Sequence, residues 1–500
     1  MAKAIMIQGT MSNVGKSFFT AGLCRVFRQD GFRVAPFKSQ NMALNSYVTE
    51  DGCEMGRAQV MQAEAAGIEP DVCMNPVLLK PVTDAGSQVI VNGKPRGNMK
   101  AAAYFDYRKT LVPEIMEAYG KLDQAYDIIV IEGAGSPAEL NLGRDDIVNM
   151  GMARLADAPV LLVGDIDRGG IFAQLLGTCA LLEPEDKERI KGLVVNKFRG
   201  ERALFSDGVR ILEERSGLPV VGVMPYVSVD IDDEDSLSEK LCQSESSVID
   251  IAVIKLRRIS NFTDFDVFSR YEGVSVRYVS RKEQLGSPDF IILPGTKSTI
   301  SDFIWLRESG LEAAIQKCVA EGTPLFGICG GYQMLGQKIS DPNEVECGGE
   351  VTGMQMLPAD TVFSGKKTRS RVSGTIGHVG GDFAALSGVS FTGYEIHMGV
   401  TKSEACSFSV LSNGVEDGAY RNNVYGSYVH GIFDERAVSE TIVRALYEKK
   451  GLEYRTGAME MQAYKELQYN RLADAVRENV SMEKIYGILG LDAGVYGCIK

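Results

Sequence analysis

The run Ile128-Ile129-Val130-Ile131 constrains this chain most, because it has no polar face. A strand of that kind must be covered on both sides, which happens in parallel sheets sandwiched between helices. Comparable apolar runs predict strands over 3–7, 33–36, 127–131, 159–164, 192–195 and 220–224, with room for crossover helices between them. We therefore expect an α/β domain over residues 1–232. From Asp230 to Ser247 the chain reads DIDDEDSLSEKLCQSESS, acidic and without apolar period, which predicts a linker at 233–248. A second strand series at 250–254, 275–279, 290–293, 325–328 and 424–428 predicts another α/β domain over 249–440, with an antiparallel region in the Gly-rich stretch 350–400. Residues 441–500 read as a helical tail.

Composition narrows the function classes. The chain has 500 residues, which suggests two to four domains. Its 53 Lys and Arg against 66 Asp and Glu leave a net charge of −13, and no basic cluster suits nucleic acid. No run of about 18 apolar residues predicts a membrane span. The start, Met1-Ala2-Lys3-Ala4, leads into a β-like run and not a signal peptide. Ten Cys occur without a C-x-x-C pair, so reduced thiols in the cytoplasm are expected and a structural zinc is not.

Residues 3–17, KAIMIQGTMSNVGKS, place a strand, a Gly/Ser turn and a helix in succession. Backbone N–H groups of Gly15 and its neighbours, with the helix N-terminus, suit phosphate oxygens. Lys16 would reach the terminal phosphates and the Ser17 hydroxyl would bind Mg²⁺. The usual G-x-x-x-x-G-K-S/T spacing calls for glycine at position 10. Here Thr10 stands there and the glycine is Gly9. Glu132, at the end of the 127–131 strand and before Gly133, is the expected metal carboxylate, with a turn-capping role as the plain alternative. Glu54 is a further metal candidate, or a helix-start acid. Asn196, after a strand, is assigned to the nucleotide. Asp165, Asp167 and Arg168 sit at another strand end, where ligand binding and structural ion pairing are both open.

Residues 324–335, PLFGICGGYQML, form a Gly-x-nucleophile-x-Gly elbow around Cys329. The flanking glycines relieve crowding on a strained turn, and the helix N-terminus favours the thiolate. Gly330 N–H is an oxyanion donor, and Gly295, in LPGTKST, or a neighbour is a second. A thiol nucleophile wants a base. Of three histidines, His430 in VYGSYVHGIFD follows a strand into a glycine turn and is preferred to His397 and His378.

These residues carry a resemblance. GICGGYQML, LPGTKST and YVHGIFD resemble the glutaminase domain of class I glutamine amidotransferases. GTMSNVGKS and IEGAGS resemble the dethiobiotin-synthetase-like ATP-dependent ligases. The pairing is similar to the cobyrinic and cobyric acid amidases of cobalamin biosynthesis. KSQNMALNS, GRAQVMQAEAAG, MNPVLLKP, DRGGIFA and VNKFRG resemble the adenosylcobyric acid synthases among them. The resemblance implies ATP, Mg²⁺ and glutamine as reactants. It also implies amidation of the b, d, e and g carboxylates of a corrinoid, adenosylcobyrinic acid a,c-diamide. The rivals are the a,c-diamide synthases and a non-catalytic phosphate-loop ATPase switch, which leaves the elbow without a role. Triad-type glutaminases usually carry an acid two residues after the histidine. Here that residue is Ile432, and Glu395 or Asp434 is a possible substitute.

Overall fold

The computed structural model describes residues 1–83, 86–140, 146–231, 247–454 and 460–491. The first domain is a six-stranded parallel sheet. Its strands are β1 (Lys3–Gly9), β2 (Val34–Phe37), β3 (Ile128–Glu132), β4 (Val160–Asp165), β5 (Ile190–Phe198) and β6 (Val220–Pro225), in the order β6-β5-β4-β1-β3-β2. Ile128 to Ile131 are fully buried, as a strand covered on both faces must be. Helices α1 (Lys16–Gln29) and α2 (Arg57–Ala66) lie nearby. One part of this domain has no counterpart in the apolar-run reading. Residues 40–42, 77–83, 86–91 and 94–100 form a separate four-stranded sheet.

The second domain repeats the scheme. Its parallel strands are β7 (Ile249–Ile254), β8 (Val274–Val279), β9 (Phe290–Leu293), β10 (Leu325–Ile328) and β14 (Val424–Ser427). An antiparallel edge strand, β13 (Ala419–Arg421), closes the order β8-β7-β9-β10-β14-β13. The Gly-rich stretch is antiparallel, pairing β11 (Ala359–Ile376) with β12 (Ser390–Ser403), and β12 pairs in turn with β15 (Val429–His430). Helix α3 (Gly330–Leu335) follows β10, and α4 (Arg436–Lys449) packs on the second core. The expected linker lies, apart from Ser247 and Val248, outside the described residues.

The described part of the tail divides: α4 stays on the second core, and the later helices pack on the first domain. Helix α5 (Met461–Asn479) and helix α6 (Met482–Leu489) cross back to α1. Arg25 binds Glu466 and Asn470, and Lys465 and Tyr469 hold Glu64. Gly22 on α1 admits Val476, which stands 2.7 Å from where a Cβ would be. Among the described residues no helix is long and apolar enough to cross a membrane.

Candidate active site

In each parallel sheet the strand ends of one edge converge, as open α/β sheets require of their ligand sites. At the first, β1 runs into the phosphate loop. Asn13 and Gly15 take left-handed φ values of 60° and 90°, and Gly15 caps α1 without any side-chain bond. The first N–H groups of this 14-residue helix therefore face the loop. The loop also explains why the glycine is at 9. A Cβ there would stand 2.5 Å from Val14 Cγ2, where the loop folds over the strand end. Thr10 instead keeps strand pairing with Val163 and donates its hydroxyl to Gln174 at 3.1 Å.

Lys16 is buried and lies along the loop, 3.1 Å from the Met11 carbonyl and 3.3 Å from that of Gly135. Ser17 Oγ donates to Glu132 Oε1 at 2.9 Å. A hydroxyl and a buried carboxylate side by side, next to a phosphate cradle, are hard oxygen donors that fit Mg²⁺. Glu132 also accepts from Lys38 at 2.8 Å and from Gln62 at 2.5 Å, two partners the sequence reading missed. Asn196, at the end of β5, donates to the Val14 carbonyl at 2.7 Å, so its amide braces the loop from behind. Asp165 faces Lys197 and Arg168, and Asp167 pairs with Arg199, so these strand-end acids stand in ion pairs.

Glu54, the further metal candidate, stands apart from the phosphate loop's Ser17–Glu132 pair. It is fully buried on the seam between the domains, with Lys80 Nζ at 2.9 Å and Lys367 Nζ at 2.6 Å. Burial alone would raise its carboxyl pKa, but the two ammonium groups hold it well below the usual range. Each of its oxygens faces an ammonium group. In this structure it stands as an ion-pair anchor.

At the second sheet, β10 delivers Cys329 at φ 49° and ψ −107°, a strained left-handed position for a side-chain-bearing residue. The glycines around it are sterically required. A Cβ on Gly331 would stand 1.9 Å from the Leu293 carbonyl oxygen, and one on Gly327 would stand 2.7 Å from Leu335 Cδ1 and the Tyr332 nitrogen. His430 is 1% exposed, and its Nδ1 lies 2.6 Å from Asp264 Oδ2. Asp264 also accepts from Gly431 N–H at 3.2 Å. The acid in contact with His430 is therefore Asp264, from the short helix after β7, and not Glu395 or Asp434. Glu395 lies toward His397 and Ser370. Burial opposes the imidazolium, but the Asp264 carboxylate outweighs it and Cys329 adds to it, so His430 is raised to about 10. His397 stacks on Tyr428 and binds the Gly399 carbonyl, and His378 is exposed.

Gly330 opens α3, so its N–H has no acceptor within the helix. Gly295 packs against the imidazole: a Cβ there would stand 2.9 Å from His430 Cε1. Its neighbour Thr296 meets the elbow, with its nitrogen 3.1 Å from where a Gly330 Cβ would stand. Beside Cys329 lies a buried polar cluster that the sequence reading missed. Gln333 Nε2 donates to Tyr428 at 3.0 Å, Thr299 Oγ1 donates to Gln333 at 3.2 Å, and Thr299 N–H donates to Glu346 at 2.6 Å. Burial pushes Glu346 up to about 7, against the pull of Lys297. The one available signal was the position of Gln333, one helical turn after Cys329.

This arrangement can attack an amide at one centre and bind a nucleotide triphosphate at the other. Comparison with known proteins agrees. Residues 250–438 match the family described as the CobB/CobQ-like glutamine amidotransferase domain. Residues 5–237 match the CobQ/CobB/MinD/ParA nucleotide binding domain. The chain is 56% identical to a cobyric acid synthase of Lachnoclostridium phytofermentans, over 98% of this chain and 99% of that protein. It is 57% identical to one of Ruminiclostridium cellulolyticum, over 99% of each. It is 48% identical to one of Klebsiella pneumoniae, over 98% of each. With both family models matched and the likeness running end to end, the chain belongs to the cobyric acid synthase family of glutamine-dependent amidating ligases.

Proposed function

We propose that this chain uses ATP, Mg²⁺ and glutamine to amidate the b, d, e and g carboxylates of adenosylcobyrinic acid a,c-diamide in the cytoplasm. The observation that carries the reading is the coexistence in one chain of a Cys329–His430–Asp264 centre and a phosphate loop facing Glu132. At the first centre the Cys329 sulfur adds to the glutamine side-chain amide carbonyl. The N–H groups of Gly330 and the 295–296 loop stabilise the oxyanion. His430, charged at neutral pH because Asp264 holds its proton, gives that proton to the departing nitrogen as the C–N bond breaks. Water then splits the thioester to glutamate. Gln333 and Glu346 are placed to hold the amino-acid end of the glutamine.

At the second centre the ATP phosphates lie on the N–H groups of the loop from Thr10 to Ser17, with Lys16 on the terminal phosphates. Ser17 and Glu132 would hold Mg²⁺, which when bound neutralises charge on the transferring phosphoryl group. A corrinoid carboxylate takes that phosphoryl group, and ammonia displaces phosphate from the resulting acyl phosphate. The test is an assay with the a,c-diamide, ATP, Mg²⁺ and glutamine, counting amides by mass. Four added amides are expected. Faster turnover of cobyrinic acid lacking the a and c amides would assign the chain to the a,c-diamide synthases instead. Absence of any glutaminase activity would favour the ATPase switch.

A further inference from the structure

Groups that neither centre uses converge on the seam between them. From the first domain, Glu54 pairs with Lys80 at 2.9 Å; across the seam, Lys367 of β11 comes within 2.6 Å. Gln88 of the first domain accepts from Lys367 at 3.2 Å and from Lys297 at 3.3 Å. Lys297 sits in the loop whose Gly295 abuts His430 and whose Thr296 abuts Gly330. The other wall of the glutaminase centre is reached as well. Lys80 Nζ donates to Ser46 Oγ at 2.8 Å, and the Ser46 carbonyl accepts from Asn261 at 3.1 Å and from Tyr394 at 3.4 Å. Tyr394 stacks on the His430 ring, with centroids 5.5 Å apart. Asn261 caps the short helix that carries Asp264. One ionic cluster thus touches the supports of the nucleophile, the base and the acid.

Stability does not account for such a cluster. Taking charges out of water costs about what their pairing returns, and an apolar seam of equal volume would serve as well. Burial already works against the Lys367 ammonium, and Lys80 and Lys297 add repulsion. What a buried cluster supplies is registry, since its geometry is met only when the two domains dock in one way. The chemistry needs that registry, because nitrogen freed at Cys329 is useful only if it reaches the other centre before water captures it.

We propose that Glu54 is a positioning residue that couples the two centres. Through Lys80 and Lys367, and through Gln88 to Lys297, it aligns the glutaminase walls with the amidoligase domain, so that glutamine is cleaved in step with amidation. This rests on the functional reading above. The experiment compares the parent enzyme with Glu54→Gln and Gln88→Leu, measuring glutamate formed per amide formed and amidation with ammonium chloride in place of glutamine. The parent should form one glutamate per amide. In Glu54→Gln, glutamine-driven amidation should fall ~10–100-fold, the cost of a small misplacement. The glutamate-to-amide ratio should rise at least about threefold, while ammonium-driven amidation stays within about twofold of the parent. A ratio that stays at one, or equal losses with both nitrogen sources, would overturn the proposal. If Glu54→Gln does not fold, Gln88→Leu removes only a neutral bridge. It should raise the ratio in the same direction, and an unchanged ratio in folded Gln88→Leu also overturns the proposal. A parent that makes no amide from either source would instead refute the functional reading.

Discussion

The phosphate loop and the cysteine elbow are built from the same parts, a parallel strand, a tight turn and a helix. They use those parts in opposite ways. The loop puts glycine at its left-handed helix cap, Gly15 at φ 90°, and leaves a long open turn whose N–H groups can wrap a ligand. The elbow places a side-chain-bearing residue, Cys329, at φ 49° and packs backbone tightly behind it, so that one atom is held forward. A ligand-wrapping turn needs freedom near its end, and a nucleophile-presenting turn needs constraint on both sides. The surroundings differ accordingly. Ser17, Lys38 and Gln62 converge on one carboxylate, Glu132, whereas Cys329 faces a buried His430–Asp264 pair.

The largest effect that tests this contrast is expected for Cys329→Ala. Glutamine hydrolysis should fall by ~10⁶, the scale for removing a nucleophile, while amidation from ammonium salts survives. Loss of both would mean that the elbow is not a separate centre. Asp264→Asn comes next, at ~10³–10⁴ in glutaminase rate, as when the orienting acid of a triad loses its charge.

Asp264→Asn also has a pH signature. In the folded parent His430 is raised to about 10, above its ordinary value of about 6.5. The native state therefore binds this proton more tightly than the unfolded chain does. The resulting stability is fully present below about pH 6.5 and is lost as pH rises through about 10. Urea midpoints of the parent and Asp264→Asn should accordingly converge across that interval, and the alkaline limb of glutaminase activity should move to lower pH in the variant. A limb that does not move would separate Asp264 from the base.

Lys16→Ala should cost ~10²–10³ in amidation from either nitrogen source, the loss typical of one charge-stabilising group. Glutaminase measured alone should change little by comparison. The smallest effect concerns the two sets of glycines. An added methyl at Gly331 meets the Leu293 carbonyl, which is backbone, whereas at Gly9 it meets the Val14 side chain, which can turn. Gly331→Ala should therefore destabilise by about 1–3 kcal/mol or more, and Gly9→Ala by less, read as denaturation midpoints. Equal losses would remove the distinction between a constrained elbow and an open loop.

What was legible in the sequence follows from how local each signal is. Buried parallel strands announce themselves as apolar runs, so the parallel strands of both sheets could be located to within about three residues, while the antiparallel edge strand β13 was missed. The loop around Lys16 and the elbow around Cys329 carry their constraints in neighbouring glycines. The side sheet at 40–100 escaped, because 40–42 is short, 94–100 is largely exposed, and the apolar runs of 77–83 and 86–91 are broken by Lys80-Pro81 and begun by Gly86-Ser87-Gln88. The lysine partners of Glu54 were illegible for a related reason. An acid at a strand start looks alike whether it faces a metal or two lysines, and one of those lysines lies 313 residues away.

Apolar runs and glycine turns marked the two α/β domains, the turn that carries Lys16 and Ser17, and the elbow that carries Cys329. Each rests on residues close together in the chain, where backbone sterics and burial act directly. Tertiary packing alone set the acid beside His430, the partners of Glu132, the place of Glu54 and the docking of α5 and α6 on α1. Asp264 is 166 residues from His430, yet β7, β9, β10 and β14 lie side by side in one parallel sheet. Strand order, not chain order, brings their ends to a common edge, and that order is set by packing that no local pattern records.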